Sequence, residues 1–296
     1  MARAAPAADR AVRILSFLTA HPSRGFTISE LVDHLDMNIA SAHATLAVLS
    51  DSGFIVRDPV HRTYILGPAV AATGFAALEQ HPAIGAAIQQ AEVLADELGA
   101  EVRLTALAGR DVIFLAQCGP ETLAATSGYP GDRSPLLAPL GAVFMAWAED
   151  AAVAAWLERA SLGAEHAEFY RGVLAETRAR GFSVPMHAIA QPAIADAISR
   201  LREEPTAHDA EQQLADVLQH TDEMLVMFAD LSPADTVVFK TVAAPIFDPI
   251  GRVLLSLNIT GPEHAVRVDE VFDLGRRLVR SAAIATRQAR GRVPEG

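Results

Sequence analysis

A single cysteine, Cys118, is all that the 296 residues contain. It can neither close an internal disulfide nor build a thiolate metal site, which removes two routes to function and suits a reducing compartment. Beside Gly119 and Pro120 at the end of an apolar run, it reads as a packing residue rather than a nucleophile. Aromatic residues make up only 6% and charged residues 20%, against 51% hydrophobic, a globular composition. No apolar stretch reaches the span of a bilayer before a charge or proline breaks it, and the opening MARAAPAADR lacks the apolar core of a signal peptide. A cytoplasmic protein without a membrane partner is expected. Enzyme chemistry is missing as well. No nucleophile and base stand at convincing spacing, the glycines form neither a phosphate loop nor a dinucleotide fingerprint, and the histidines are scattered without an H-x-x-x-H pair. Neither catalysis, nor a metal, nor a cofactor is expected.

Positive charge is also scarce. Lysine and arginine number 24 against 36 carboxylates, a net charge of −12, which excludes a surface that embraces nucleic acid all round. The imbalance is uneven. In residues 1–80 six arginines face seven carboxylates, so this part is nearly neutral, while the acidic remainder is held away from phosphate by repulsion. The length exceeds that of one ordinary domain. A small DNA-reading head on a larger acidic body fits both observations.

What is present in the first third has a definite order. Val12, Ile14, Leu15 and Leu18 make one amphipathic helix over 9–20, ended by His21-Pro22. Thr27-Ile28-Ser29-Glu30 is a capping box for a second helix whose buried face is Leu31, Val32 and Leu35. Asn38 caps a third helix to Ser52, with Ala42, Leu46 and Leu49 inward and Gly53 as its stop. A strand over 54–56, a polar turn over 57–62 and a returning strand over 63–66 follow at once. Such a hairpin behind the third helix is the wing of a winged helix-turn-helix, where the helix enters a major groove and the wing reaches flanking backbone. The candidate DNA contacts are Thr27, Asn38, Ser41, His43 and Thr45 on the helices, and Arg57, His61 and Arg62 on the wing. The wing charges equally suit an ordinary solvated turn. A sensory or interaction protein that packs its winged helix on another protein stays open as the second reading.

An alanine-rich helix from Pro68 to Leu78 reads as a linker, and His81-Pro82 marks the boundary. The expected organisation is a DNA-binding domain over 1–68, a linker helix over 69–82, and an effector-binding and oligomerisation domain over 83–296. In the last, a helix carries Ile84, Ile88, Ala91, Leu94 and Leu98 to Gly99. Strands over 101–107 and 112–117 flank the Gly109-Arg110-Asp111 turn. Helices are expected over 141–148, 151–160 and 166–180, strands over 182–186, 237–243 and 253–258, and a closing helix over 263–290. The interval 187–236 carries helical stretches at 193–202 and 210–218. This mixture suggests an α+β domain with an antiparallel sheet.

The run TISELVDHLDMNIASAHATLAVLSDSGFIVRDPVHRTYILGPAV resembles the N-terminal domain of IclR-type bacterial transcriptional regulators. Downstream, SGYPGDRSPLLAPLGAVFMAW, ETRARGFSV and VAAPIFDPIGRVLLSLNITGP resemble segments of the family's effector domain, in the family's order. The resemblance implies a GAF-like effector domain and a homodimer or dimer of dimers that binds operator DNA under a small-molecule effector, an organic acid or aromatic metabolite. Carried over, the pocket positions fall on Leu140, Gly141, Phe239, Thr241, Asn258 and Thr260. Thr241, Asn258 and Thr260 stand where small-acid binders of the family have a cysteine and two serines; all three donate and accept hydrogen bonds. Arg133 would add a bidentate anchor for a carboxylate. Two departures stand out. His43 is followed by Ala44 where family recognition helices carry arginine, and the interval after Val184 is long for the family.

Overall fold

A computed structural model describes residues 5–120, 130–184, 197, 200, 212, 214–216, 227–262 and 264–294. Helix α1 (Pro6–Ala20) has a proline in its first turn, where the missing N–H costs nothing. Helix α2 (Ile28–His34) begins on the expected capping box with both reciprocal bonds formed. Helix α3 (Ile39–Asp51) begins on Asn38, whose side chain accepts from the amides of Ala40 and Ser41. Strands β1 (Ile55–Arg57) and β2 (Tyr64–Leu66) pair antiparallel, and Phe26 bridges to Tyr64. Ile14, Phe17, Leu18, Phe26, Leu31, Leu46 and Ile55 close on one core. The first strand runs further than expected, because Arg57 pairs with Tyr64 inside the ladder instead of opening the turn.

Helix α4 (Pro68–Gln80) joins head and body and buries none of its residues. Helix α5 (Pro82–Leu98) stops at Gly99, which takes the left-handed conformation expected of a C-terminal glycine. The body holds strands β3 (Val102–Ala108), β4 (Asp111–Cys118) and β5 (Arg133–Pro135). After helices α6 (Ala142–Met145), α7 (Asp150–Arg159) and α8 (Ala164–Arg180) come β6 (Thr236–Val237), β7 (Thr241–Phe247), β8 (Val253–Thr260) and β9 (Val266–Arg267). Helix α9 (Val268–Gln288) is the last. Five strands form one sheet in the order β5-β4-β3-β8-β7, every pair antiparallel.

Strand alternation divides this sheet chemically. Val102, Leu104, Val242, Ala244, Ile246, Leu255, Leu257 and Ile259 face α5 and α9 and make the main core with them. On the other side α6, α7 and α8 build a second core around Trp156, Tyr170 and Leu174, which reaches the sheet at Ala243 and Val253. No described helix is long and apolar enough to cross a membrane.

Several expectations shift. β5 adds a strand to those expected. The strand expected over 237–243 divides into β6, which pairs β9, and β7, which joins the main sheet. The closing helix starts only at Val268 because Val266 and Arg267 are taken by that small ladder. The strand over 182–186 reduces to a bridge between Ser183 and Ala243; its last two residues, most of the helical stretches at 193–202 and 210–218, and 127–129 lie outside the described residues.

Candidate functional site

On the head, capping consumes part of the candidate contact set. The Thr27 hydroxyl donates to Glu30 Oε2 at 2.8 Å and accepts from the Glu30 amide, while the Thr27 amide donates to the same carboxylate at 2.7 Å. The Thr27 amide, then its hydroxyl, hold the Glu30 carboxyl below its ordinary pKa. Asn38 Oδ1 is spent on α3. Ser41 and Thr45 are half-buried on the flank of α3, and the Thr45 hydroxyl donates to the Ser41 carbonyl at 2.9 Å. Of the candidates within α3, His43 alone stands on the exposed face.

The wing turn is built by Asp58. Its Oδ1 accepts from the amides of Val60 and His61 at 2.7 and 2.9 Å, and these bonds, His61's first, hold the Asp58 carboxyl below its ordinary pKa. Arg62 takes a positive φ of 57° to close the turn. Arg57, His61 and Arg62 are all exposed, with the Arg57 guanidinium 5.8 Å from the Tyr64 ring centre. The arrangement presents two arginines on one hairpin beside α3.

In the body, the sheet face opposite the leucines carries Arg103 and Thr105 from β3, Ser256, Asn258 and Thr260 from β8, and Thr241 from β7. Register sets Arg103 opposite Asn258 and Thr241 opposite Thr260. The Asn258 amide donates to Ser256 and Arg103 carbonyls at 2.9 and 3.3 Å and to the Thr105 hydroxyl at 3.2 Å. The Thr260 hydroxyl donates to Glu101 at 3.4 Å. Glu101 is wholly buried and takes the Nε–H of Arg103, whose guanidinium lies 4.9 Å from the Phe114 ring centre. Leu140 and Gly141 lead into α6, on the same side of the sheet; the Leu140 carbonyl accepts from the Trp156 indole at 2.8 Å.

Leu140, Gly141, Thr241, Asn258 and Thr260 thus share one layer. Phe239 does not join them, because it is buried in the opposite core with α5 and α9. Arg133 does not either: β5 is the far edge of the sheet from β7, and Arg133 is exposed there, 3.3 Å from Asp111. The residues that reading by motif missed are Glu101 and Arg103. A cleft of about 460 Å³ lies at the end of this layer, lined by Arg110, Leu136, Met145, Trp156 and Arg159 among others and by none of the expected effector contacts. The polar sheet face is the stronger candidate, since the cleft's Arg159 is tied to the Arg110 and Leu136 carbonyls and serves to hold α7.

Residues 7–59 match the family model of the IclR helix-turn-helix domain. These residues are similar to an IclR-type helix-turn-helix domain. The HTH-type transcriptional regulator BhcR of Paracoccus denitrificans is 24% identical over 257 residues, covering 86% of this chain and 77% of the relative. The IclR-type fold continues through the body. An IclR transcriptional regulator from Alicyclobacillus acidocaldarius superposes with a TM-score of 0.67 at 20% identity, over 97% of this chain and all of that one. An IclR homologue from Microbacterium hydrocarbonoxydans, complexed with 4-hydroxybenzoate, superposes with a TM-score of 0.61 at 16% identity, over 96% of this chain and 99% of that one.

Proposed function

We propose that the chain is an IclR-type transcriptional regulator, that it works as a homodimer whose heads engage two operator half-sites, and that a small carboxylic acid, aliphatic or aromatic, changes its operator affinity by occupying the polar sheet face beside α6. The observation that carries the effector side is the row Arg103, Thr105, Asn258 and Thr260 set within otherwise apolar layers. A polar group that enters such a place is recognised by few, fixed partners. The Microbacterium homologue that holds 4-hydroxybenzoate supports an aromatic acid. Phe75 at 69% and Leu78 at 41% exposure on α4 support a second copy as the cover of the linker, which would make head spacing the quantity that the effector shifts.

Thermal-shift screening of the full chain against small carboxylates and benzoates tests this, because a ligand of the folded state raises its melting temperature. The expected result is a hit that also alters retention of the chain's own upstream DNA. Hits that leave DNA retention unchanged contradict it.

A further inference from the structure

From Ala40 to Val48 the outward face of α3 carries one polar side chain, His43, and the exposed Asp51 closes the face at its C-terminal end. Ala40, His43, Ala44, Ala47 and Val48 recur at helical spacing and are all exposed, Val48 at 65%. Ala42, Leu46 and Leu49 point to the core, and Ser41 and Thr45 lie half-buried between the two faces. The hydrogen-bonding reach of this face at its N-terminal end therefore rests on His43.

A face of this kind suits few base edges. Pressed against the donors and acceptors of a purine, an alanine or valine side chain strips water from polar atoms and returns no hydrogen bond. Against the C5 methyl of thymine, apolar surface is buried on both sides at no such cost. In a winged helix-turn-helix the third helix is the one that enters the major groove. The head's near-neutral charge leaves less of the binding to phosphate contacts than a basic head would.

We propose that α3 reads thymine methyl groups, through Ala40, Ala44, Ala47 and Val48, with His43 as its hydrogen-bonding residue. This rests on the reading that the head binds DNA. Its half-sites are accordingly rich in thymine at the positions under α3, and specificity comes from the methyl group rather than from paired donors and acceptors.

Selection of duplexes from a random library by the full-length chain, followed by resynthesis with deoxyuridine for thymidine, isolates the methyl, since every base-pairing and groove hydrogen-bonding group is kept. Binding should weaken about two- to fourfold per contacted thymine, and uracil outside the half-sites should have no effect. The double variant Ala44→Ser with Val48→Ser should bind more weakly, show a smaller uracil penalty, and keep its thermal melt, because both positions are exposed. Selected duplexes that bind equally well with uracil overturn the methyl proposal and leave DNA binding standing. Failure to select any duplex overturns the DNA reading beneath it, and the proposal with it.

Discussion

Arg103 donates to the carboxylate of Glu101, which is wholly buried, while the arginine side chain itself is 13% exposed. Removing one member of such a pair takes the nearest opposite charge from the other in a low-dielectric interior. Arg103→Ala should cost about 3–5 kcal/mol, whereas replacing both partners, Arg103→Met with Glu101→Gln, should recover most of the loss. Urea unfolding of the two variants decides between them; a double variant no more stable than the single contradicts a coupled pair.

Arg133 and Asp111, 3.3 Å apart with both side chains more than a third exposed, should behave in the opposite way. Arg133→Ala is expected to change stability by about 0–1 kcal/mol and to leave the affinity for any acid found by screening as it was. Calorimetric titration of that acid into the variant checks this, and a large loss of affinity would return Arg133 to the effector site.

The contrast between these two arginines shows where the sequence is legible. Helix periodicity, the Thr27 box, the Asn38 cap and the wing turn are local signals, and α1 to β2 follow them closely. Arg103 carries no such signal: a charged residue alternating with Val102 and Leu104 looks like the solvent side of a strand. Only the placement of β3 at the centre of the sheet, with α6 to α8 on that side, makes its surroundings nearly dry. Phe239 fails to reach the pocket layer for a related reason, since the break between β6 and β7 turns it into the other core. On α3 the helical period already sets Ala42, Leu46 and Leu49 inward, and the burial of the three agrees with it.

Thr27→Ala removes the side-chain half of the α2 capping box and should cost the head about 1 kcal/mol. The Glu30 carboxyl is held below its ordinary value of 4.5 by the Thr27 amide and hydroxyl. A depressed folded-state pKa contributes stability above the unfolded value that disappears as pH falls through the folded one. The difference between wild type and variant in thermal melts should therefore be largest near neutrality and shrink, without vanishing, as pH falls below 4.5, because the bond from the Glu30 amide to the Thr27 hydroxyl does not titrate; a difference that stays constant with pH contradicts the ionised cap.

Gly141 has a φ of 77°, and a Cβ there would lie 2.4 Å from Leu136 Cδ1. Gly141→Ala must bear both the left-handed backbone and a displaced leucine, a loss of about 1–3 kcal/mol. The same change should disturb the start of α6, so the affinity for a screened acid should fall along with the unfolding midpoint; an unaltered midpoint contradicts the geometry.

The measurement closest to the central claim is the salt dependence of DNA binding by the full chain, compared with the double variant Arg57→Ala and Arg62→Ala. Affinity for a selected duplex should fall linearly with salt on logarithmic axes, and the slope should shrink by about one for each phosphate that the altered wing no longer neutralises. Retention that is insensitive to salt, or a slope that the double variant leaves unchanged, would contradict a head that holds DNA through its wing.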